Sequence, residues 1–212
     1  MNAQTGISKK EDTVSLHDAY AANYDEQISA YGCYLADALF GLCFDYVRPV
    51  ERILDLGVGS GLSAIPFAKA GLHVHGMDFS PAMLELCRAK GIAVELKLHD
   101  LEEIPWPYLD DDFDHLVCCG VFHFLPGLEI VFSEANRVLR DGGIFAYTTK
   151  APSASNSDPR KYDQQTVNDL SIFAHHSEYL QQLLEYFQFK YLKKLKCFVG
   201  EDIFHLWITK KM

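Results

Sequence analysis

The segment 53–62, which reads ILDLGVGSGL, constrains the fold more than any other part of the chain. An apolar run that contains one acid ends in three glycines at alternate positions, Gly57, Gly59 and Gly61. A buried strand, a glycine-rich turn and a helix explain this order, because glycines without Cβ atoms let backbone amides approach a ligand at a helix N-terminus. The alternative interpretation is a tight turn without a ligand.

The centre of the chain alternates between strand-like and helical patterns, which is typical of a mainly parallel sheet with helices on both faces. The candidate strands lie at 51–56, 72–77, 93–98, 115–120 and 143–149. Helices are predicted at 64–70, after the glycines, and at 129–140, before a second glycine-rich stop signal. A further helix begins at Ser80, an N-cap followed by Pro81 at the first helical position, and runs to about Lys90.

The two ends of the chain differ from this regular centre. Residues 14–47 predict two helices rich in tyrosine and phenylalanine, and the start of 151–176 has the composition of a loop. A helix at 177–187 and two alternating runs, at about 189–199 and 203–210, complete the chain. The short link between these runs predicts an antiparallel hairpin at the end of a parallel sheet.

Composition and charge exclude several classes of function. The chain has 212 residues, of which 49% are apolar and 23% charged, so it can bury a full core. The formal net charge of −10 disfavours nucleic acid and anionic membranes as partners, and the one dense basic run, 192–196, is expected to be a solvated face. We expect neither a membrane-spanning segment nor a secretory signal. Six cysteines without CxxC spacing indicate reduced thiols in a cytoplasmic protein, and no metal site is expected.

Two aspartates restrict the ligand of the glycine turn. Asp78 ends the second strand, where a carboxylate beside the turn can accept hydrogen bonds from both ribose hydroxyls of a dinucleotide or of another adenosine cofactor. The dinucleotide fingerprint requires Gly or Ala three places after its second glycine, but this chain has Leu62 there. Asp55, inside the first strand, would repel a pyrophosphate and would suit an ammonium or sulfonium group.

Five motifs in series resemble the class I S-adenosylmethionine (SAM) dependent methyltransferases, with the closest similarity to their small-molecule branch. They are Asp55–Gly61, Asp78–Pro81, His99–Leu101, Phe113–Asp114 leading into Cys118–Val121, and Val138–Gly143. The resemblance covers about residues 50–150. It implies an α/β, Rossmann-like, doubly wound sheet of seven strands in the order 3-2-1-4-5-7-6, mostly parallel with an antiparallel strand from the C-terminal hairpin. It also implies SAM as the cofactor and S-adenosylhomocysteine (SAH) as its product.

The resemblance further implies a role for individual residues around the methionine part of SAM. Gly57 and Gly59 would pass along it and Asp55 would help to orient it, while the carbonyl of Cys119 or Gly120 would accept a hydrogen bond from its ammonium. Tyr24 and Tyr31, in the helices before the first strand, would close over this end of the cofactor.

Around the adenosine part, the resemblance implies that Asp78 holds the ribose. Phe79 and Met83 would flank the adenine ring by apolar contact. Asp100 would accept a hydrogen bond from the adenine amino group, and the amide of Leu101 would donate one to the ring. We therefore expect one methyltransferase domain over 1–212 with four parts: a helical cap (1–49), the SAM-binding core (50–150), a substrate-covering segment (151–176), and a C-terminal helix and β-hairpin (177–212).

Methyl transfer from a sulfonium is an in-line displacement, so the protein mainly aligns the nucleophile and excludes water. A hydroxyl nucleophile would benefit from a general base, and His123, just after the fourth strand, is the catalytic candidate; the alternative is a histidine that only shapes the pocket. Either His175 or His176 could line the pocket or lie on the surface. Aromatic residues at both ends of the chain suit an apolar substrate pocket or ordinary core packing.

The function expected from these observations is SAM-dependent methylation of a small-molecule acceptor by a monomer or homodimer, with O-methylation slightly preferred. The covering segments are short, which favours a small acceptor over a folded protein or nucleic acid. One alternative is an NAD-type oxidoreductase, which Leu62 and Asp55 disfavour. Another is a non-catalytic protein that binds SAM or SAH as a sensor or partner subunit, because no residue on the acceptor side is compulsory for transfer.

Overall fold

The structure is a computed structural model that describes residues 23–152, 161–167 and 170–212, and its fold is built on a β-sheet. Nine strands occur in these residues: β1 (Arg52–Leu56), β2 (His73–Asp78), β3 (Glu95–Leu98), β4 (Phe113–Cys118), β5 (Leu139–Lys150), β6 (Tyr162–Val167), β7 (Leu170–His175), β8 (Phe189–Val199) and β9 (Asp202–Lys211). Seven of them form one sheet in the order β3-β2-β1-β4-β5-β9-β8. Strand β9 is antiparallel to both neighbours, while the other pairs are parallel. The predicted order 3-2-1-4-5-7-6 is confirmed, with β8 and β9 as its sixth and seventh strands.

Helices cover both faces of this sheet. Those in the described ranges are α1 (Tyr24–Ala30), α2 (Leu35–Cys43), α3 (Ala64–Lys69), α4 (Pro81–Ala89), α5 (Glu129–Val138) and α6 (Ser177–Tyr186), with a 3-10 helix at Phe122–Phe124. Helices α5 and α6 contribute to one buried apolar cluster, and α2, α3 and α4 contribute to the other. None of the helices described is long and apolar enough to cross a lipid bilayer.

The alternation of side chains along β5 shows how one strand contributes to both layers. Phe145 and Tyr147 belong to the cluster beneath α5 and α6, whereas Ile144 and Ala146 belong to the cluster on the opposite face. Successive side chains of a strand point to opposite faces of its sheet, so an apolar run of this kind is typical of a strand buried on both sides. The predicted doubly wound architecture follows from this pattern.

The structure differs from the sequence-based prediction in the covering segment. This segment is predicted to begin as a loop, and residues 153–160 lie outside the described residues. Further along, Tyr162–Val167 and Leu170–His175 pair as the antiparallel strands β6 and β7. Strand β7 has four consecutive buried residues, 172–175, and packs on the 3-10 helix. Strand β6 is mostly exposed and polar, so its sequence carries little apolar signal.

Two helix boundaries also differ from the prediction. The helix predicted over 129–140 ends at Val138, because β5 begins at Leu139 and includes the glycines that were expected to form a stop. Gly143 is required there by close packing, since a Cβ atom would collide with the Asp114 carbonyl on β4. At the N-terminus, two helices are predicted over 14–47. Helices α1 and α2 lie in the described part of this range, and residues 14–22 lie outside the described residues.

The sheet order determines where a ligand can bind. From β1 the chain proceeds through β2 to β3 on one side, and then returns to β4 and β5 on the other side of β1. Loops leaving the carboxyl ends of β1 and β4 therefore diverge and leave a crevice between them. All the residues predicted to contact the cofactor from β1, β2, β3 and β4 lie at this same edge of the sheet.

Candidate active site

The glycine turn forms the floor of the crevice. Gly57 and Gly59 have φ angles of 69° and 52°, in the left-handed region that favours glycine. A Cβ atom on Gly57 would lie 2.6 Å from a methyl carbon of Val121, so the Val121 side chain packs on the glycine turn at the base of the crevice. A Cβ atom on Gly59 would meet nothing within 4 Å, which shows that open space lies above this residue. The turn is thus both tight and accessible.

Asp78 connects the end of β2 to this turn. One carboxylate oxygen accepts a hydrogen bond from the Gly59 amide at 2.8 Å, and the other accepts one from the Ser80 amide at 2.9 Å. The side chain is 6% exposed. Each carboxylate oxygen has more than one lone pair, so these bonds orient the group and leave capacity to accept from a diol. The predicted placement of Asp78 beside the glycine turn agrees with this geometry.

Asp55 is the most deeply buried acid of the crevice, with 0% exposure. Its Oδ2 accepts a hydrogen bond from the Ser63 hydroxyl at 2.6 Å, whereas its Oδ1 has no hydrogen-bond partner among the described residues. Burial raises the pKa of Asp55 to about 7, opposed by the Ser63 hydrogen bond and reinforced by the negative charge of Asp78. A buried acceptor of this kind fits a cationic ligand, because a nearby positive charge stabilises the ionised carboxylate.

The residues assigned to adenine lie after β2 and β3. Phe79 is half-buried and Met83 is buried. Ser80 is the N-cap of α4, and its hydroxyl accepts a hydrogen bond from the Met83 amide at 3.1 Å. The His99 amide donates to the Asp78 carbonyl at 3.0 Å, which brings the segment after β3 next to the ribose-binding candidate.

Asp100 and Leu101 follow in this segment. One oxygen of Asp100 accepts from the Glu102 amide at 2.8 Å. The side chain of Leu101 packs in the core, and its carbonyl accepts from the Trp106 indole at 3.1 Å. Only the backbone amide of Leu101 is therefore assigned to a ligand, as the sequence predicts. These contacts fix the segment at the edge of the crevice.

The end of β4 forms the opposite wall. The Gly120 amide donates to the Thr148 hydroxyl on β5 at 2.8 Å. Cys118 is fully buried, and burial raises the pKa of both the Cys118 and the Cys119 thiol well above the ordinary range. These thiols remain protonated at neutral pH and act as small packing groups, Cys118 fully buried and Cys119 half-buried.

The N-terminal helix α1 brings Tyr24 to the crevice. Burial, together with Cys119, Cys33 and Asp78 nearby, raises the pKa of Tyr24 to about 12. Tyr24 directly precedes Asp25, whose carboxylate accepts from the Ser60 hydroxyl, so α1 lies beside the glycine turn. The predicted role of Tyr24 at the methionine end remains a prediction. Tyr31, at the other end of α1, is 71% exposed, so its predicted closure over the methionine end does not occur in this conformation and remains a prediction.

A network not predicted from the sequence attaches α1 to the glycine turn. The Ser60 hydroxyl donates to one oxygen of Asp25 at 2.5 Å. Lys90 donates to the other oxygen of Asp25 at 2.6 Å and to the Ser60 carbonyl at 2.5 Å. Because Asp25 follows Tyr24 directly, the network also places Tyr24. Its members are far apart in the sequence, and no local motif indicates that they meet.

His123 lies in the 3-10 helix after β4. Its ring centroid is 4.1 Å from that of Phe124 and 5.5 Å from that of Phe204 on β9. The half-buried imidazole thus occupies an aromatic environment at the carboxyl edge of the sheet, beside the strand assigned to the cofactor ammonium. Its catalytic role is not tested by this geometry and remains a prediction.

The two histidines before α6 have different environments. His175 is 1% exposed, its ring stacks on that of Tyr179 at 5.9 Å, and burial lowers its pKa to about 4. His176 is half-buried and lies 3.1 Å from a carboxylate oxygen of Asp163 in β6. His175 is therefore not a surface residue. Within the described ranges, no group of three or more His, Cys, Asp or Glu residues could hold a metal ion.

Comparison with known proteins agrees with this geometry. Residues 54–147 match the family described as "Methyltransferase domain". The demethylmenaquinone methyltransferase of Streptomyces avermitilis is 33% identical over 110 residues, which cover 50% of this chain and 47% of that protein. The malonyl-[acyl-carrier protein] O-methyltransferase of Serratia marcescens is 27% identical over 151 residues, covering 71% of this chain and 57% of that protein. This chain thus spans about half the length of the curated relatives it matches.

The fold is similar to that of solved structures as well. The 1,6-didemethyltoxoflavin-N1-methyltransferase of Burkholderia thailandensis, determined with its substrate and SAH, has a TM-score of 0.70, with 17% identity over 96% of this chain and 90% of that one. At this identity the likeness concerns the fold alone. The match of residues 54–147 to a methyltransferase domain, the series of motifs and the strand order agree with one another.

Proposed function

We propose that this protein transfers a methyl group from SAM to a small-molecule acceptor, with an oxygen nucleophile preferred. The observation that carries the proposal is the carboxylate pair of the crevice, in which Asp78 is tied to the Gly59 amide and Asp55 keeps one buried oxygen without a partner among the described residues. Asp78 would accept from the ribose hydroxyls, and Asp55 would face the positively charged methionine part. When bound, SAM supplies a methyl group on a sulfonium that is already activated for displacement.

The same pair disfavours a dinucleotide. A pyrophosphate over the glycine turn would be repelled by the negative charges of both Asp55 and Asp78. Burial has already raised the pKa of Asp55 to about 7, so a second anion nearby would further oppose its ionisation. A sulfonium and an ammonium have the opposite effect. The carboxylates therefore support a SAM site over an NAD site.

The remaining residues would align the acceptor and exclude water. The hairpin of β6 and β7 packs on the 3-10 helix that contains His123, which supports the assignment of 151–176 as the substrate-covering segment between the core (50–150) and the C-terminal part (177–212). The N-terminal cap, 1–49, would close the opposite side through Tyr24. Short covers of this kind leave room for a small acceptor, and His123 would receive the proton of an attacking hydroxyl.

The acceptor atom varies among similar proteins. The Serratia relative is named an O-methyltransferase, and the Burkholderia structure is named an N1-methyltransferase. The preference for oxygen therefore rests on this chain's own His123, whose imidazole would be a general base for an attacking hydroxyl. The protein would act as a monomer or homodimer.

Two experiments test the proposal. Calorimetric titration of the full chain with SAM, SAH and NAD should show binding of the first two and none of NAD; binding of NAD in place of SAM would overturn the cofactor assignment. Transfer of a labelled methyl group should then be measured over phenols, carboxylates, amines and thiols. Product with a phenol or carboxylate supports O-methylation, product only with amines or thiols refutes that preference, and binding without transfer to any acceptor favours a sensor.

A further inference from the structure

A hydrogen bond extends the contact between β4 and β5 beyond the end of their backbone ladder. The last residue pair of this ladder joins Cys118 to Tyr147. Two residues further along, the Gly120 amide donates to the side-chain oxygen of Thr148 at 2.8 Å rather than to a backbone carbonyl. Thr148 is fully buried, and Gly120 has a φ angle of 74°, in the left-handed region. The Thr148 hydroxyl therefore binds a backbone amide in the first turn after β4.

The direction of this bond fixes the direction of a carbonyl. In a planar trans peptide the C=O of one residue and the N–H of the next point in opposite directions. The Gly120 N–H points toward Thr148 on β5, so the Cys119 carbonyl points away from β5. Strand β4 lies between β5 and β1, and the Cys119 carbonyl is consequently directed toward the crevice above β1.

The same hydroxyl also acts on the Cys119 side chain. Burial and then the nearby Asp55 charge raise the pKa of the Cys119 thiol, and a hydrogen bond with the Thr148 side chain lowers it in part. Thr148 thus contacts the Cys119 side chain and the Gly120 amide, which lie on either side of the Cys119 carbonyl. Asp55 on β1 pairs with Val117 on β4, two residues before Cys119, so the Cys119 carbonyl and the Asp55 carboxylate belong to the same region of the crevice.

We propose that Thr148 is a positioning residue for the cofactor, which holds the Gly120 amide and thereby aims the Cys119 carbonyl at the ammonium of the methionine part. The inference rests on the proposed SAM site and adds a residue to it. An ammonium has three donors. The Asp55 oxygen that has no partner among the described residues would accept one of them, and the aligned carbonyl of Cys119 would accept another, from opposite walls of the crevice. Thr148 itself would not touch the cofactor.

Thr148→Val tests this role, because it keeps the shape of the side chain and removes the acceptor. The variant should bind SAH about tenfold more weakly, since the Cys119 carbonyl loses its orientation toward a charged donor. Thr148→Ser retains a hydroxyl and should bind SAH within about threefold of the parent protein. The probe that distinguishes positioning from general damage is 5′-methylthioadenosine, which has the adenosine and thioether but no amino-acid part. Its affinity should be the same in all three proteins.

Thr209→Val is the matched control. Thr209 is also a fully buried threonine of the sheet, and its hydroxyl donates to the Phe145 carbonyl at 2.9 Å, away from the crevice. This variant should lose stability but keep SAH affinity. If Thr148→Val does not fold, Thr148→Cys takes its place, because a thiol is only a weak acceptor. Its affinity for SAH should also fall, while its affinity for 5′-methylthioadenosine should not change.

Three outcomes are decisive. Equal SAH affinity in Thr148→Val and the parent protein overturns the positioning role and leaves the SAM site intact. Equal weakening of SAH and 5′-methylthioadenosine also overturns it, because the defect would not be specific to the ammonium. Failure of the parent protein to bind either compound would instead refute the proposed function.

Discussion

Replacement of Asp55 by asparagine tests the buried carboxylate on which the crevice depends. The pKa of Asp55 is raised from 3.8 to about 7, first by burial and then by Asp78, against the Ser63 hydrogen bond. An acid whose pKa is higher in the folded protein than in the unfolded chain binds its proton more tightly when folded. It therefore destabilises the fold increasingly as the pH rises from about 4 to about 7, and by a constant amount above that.

The size of this effect follows from the shift. A rise of about three pKa units corresponds to about 4 kcal/mol of lost stability at about pH 8, where the carboxylate is ionised in both states. At about pH 5 the folded group is still protonated while the unfolded one is mostly ionised, and the loss is about 2 kcal/mol. Asp55→Asn cannot ionise. The buried amide of the variant would lower the free energy of unfolding by about 1–3 kcal/mol, because its donor is unsatisfied. This loss is the same at both pH values, since the amide does not titrate.

The assay is urea unfolding of both proteins, without ligand, at about pH 5 and about pH 8. The free energy of unfolding of Asp55→Asn, relative to the parent protein, should increase by about 2–3 kcal/mol between these conditions. Ser63→Ala removes the interaction that lowers the pKa of Asp55, so this second variant should show a steeper loss of stability with pH than the parent protein.

A relative stability of Asp55→Asn that is the same at both pH values would refute the reasoning. It would mean that Asp55 ionises in the folded chain as easily as in water, through solvent access or a donor that the crevice geometry does not provide. The argument that a cationic ligand is needed to stabilise this carboxylate would then be withdrawn, although the match of residues 54–147 to a methyltransferase domain would be unaffected.

The other predictions concern binding and turnover. Asp78→Ala should weaken SAM binding by about 1–3 kcal/mol through lost charge-assisted hydrogen bonds, and unchanged affinity in calorimetry would remove the ribose assignment. His123→Ala should lower the rate of labelled methyl transfer at least about tenfold with SAM affinity retained; full activity would leave it only a pocket-shaping role. Asp25→Asn should release SAM about three- to tenfold faster in stopped-flow measurements, because it weakens the contacts of α1 with Ser60 and Lys90, and an unchanged rate would show that this network does not retain the cofactor.

The main sheet was predictable because its signals are local. Each central strand is a short apolar run, and Gly57, Asp78 and the Ser80–Pro81 helix start follow strands at fixed intervals. The β6–β7 hairpin was not predicted, because β6 is polar and exposed and joins β7 mainly through backbone hydrogen bonds. Backbone ladders of this kind need no side-chain periodicity, so the sequence contains little trace of them.

The candidate site divides in the same way. Asp55 and Asp78 were predictable because each stands next to a strand end, and chemistry restricts what a carboxylate can do there. The partners of the network around Ser60 were not, because Asp25 and Ser60 are 35 residues apart and meet only after folding. The Thr148 bond to Gly120 spans 28 residues and was missed for the same reason. A threonine at the carboxyl end of β5 is the only local signal that could have drawn attention to it.

The two aspartates of the crevice have the same chemistry but different surroundings, and this difference suits the two roles that the proposed function gives them. Two backbone amides stabilise the negative charge of Asp78, which can therefore bind a neutral diol without help from a cation. Asp55 has one hydroxyl donor and complete burial, so its ionised form is costly near neutral pH. A positively charged ligand would remove that cost. In the proposed function, recognition of the adenosine and recognition of the methionine part would thus be divided between two carboxylates on either side of the glycine turn.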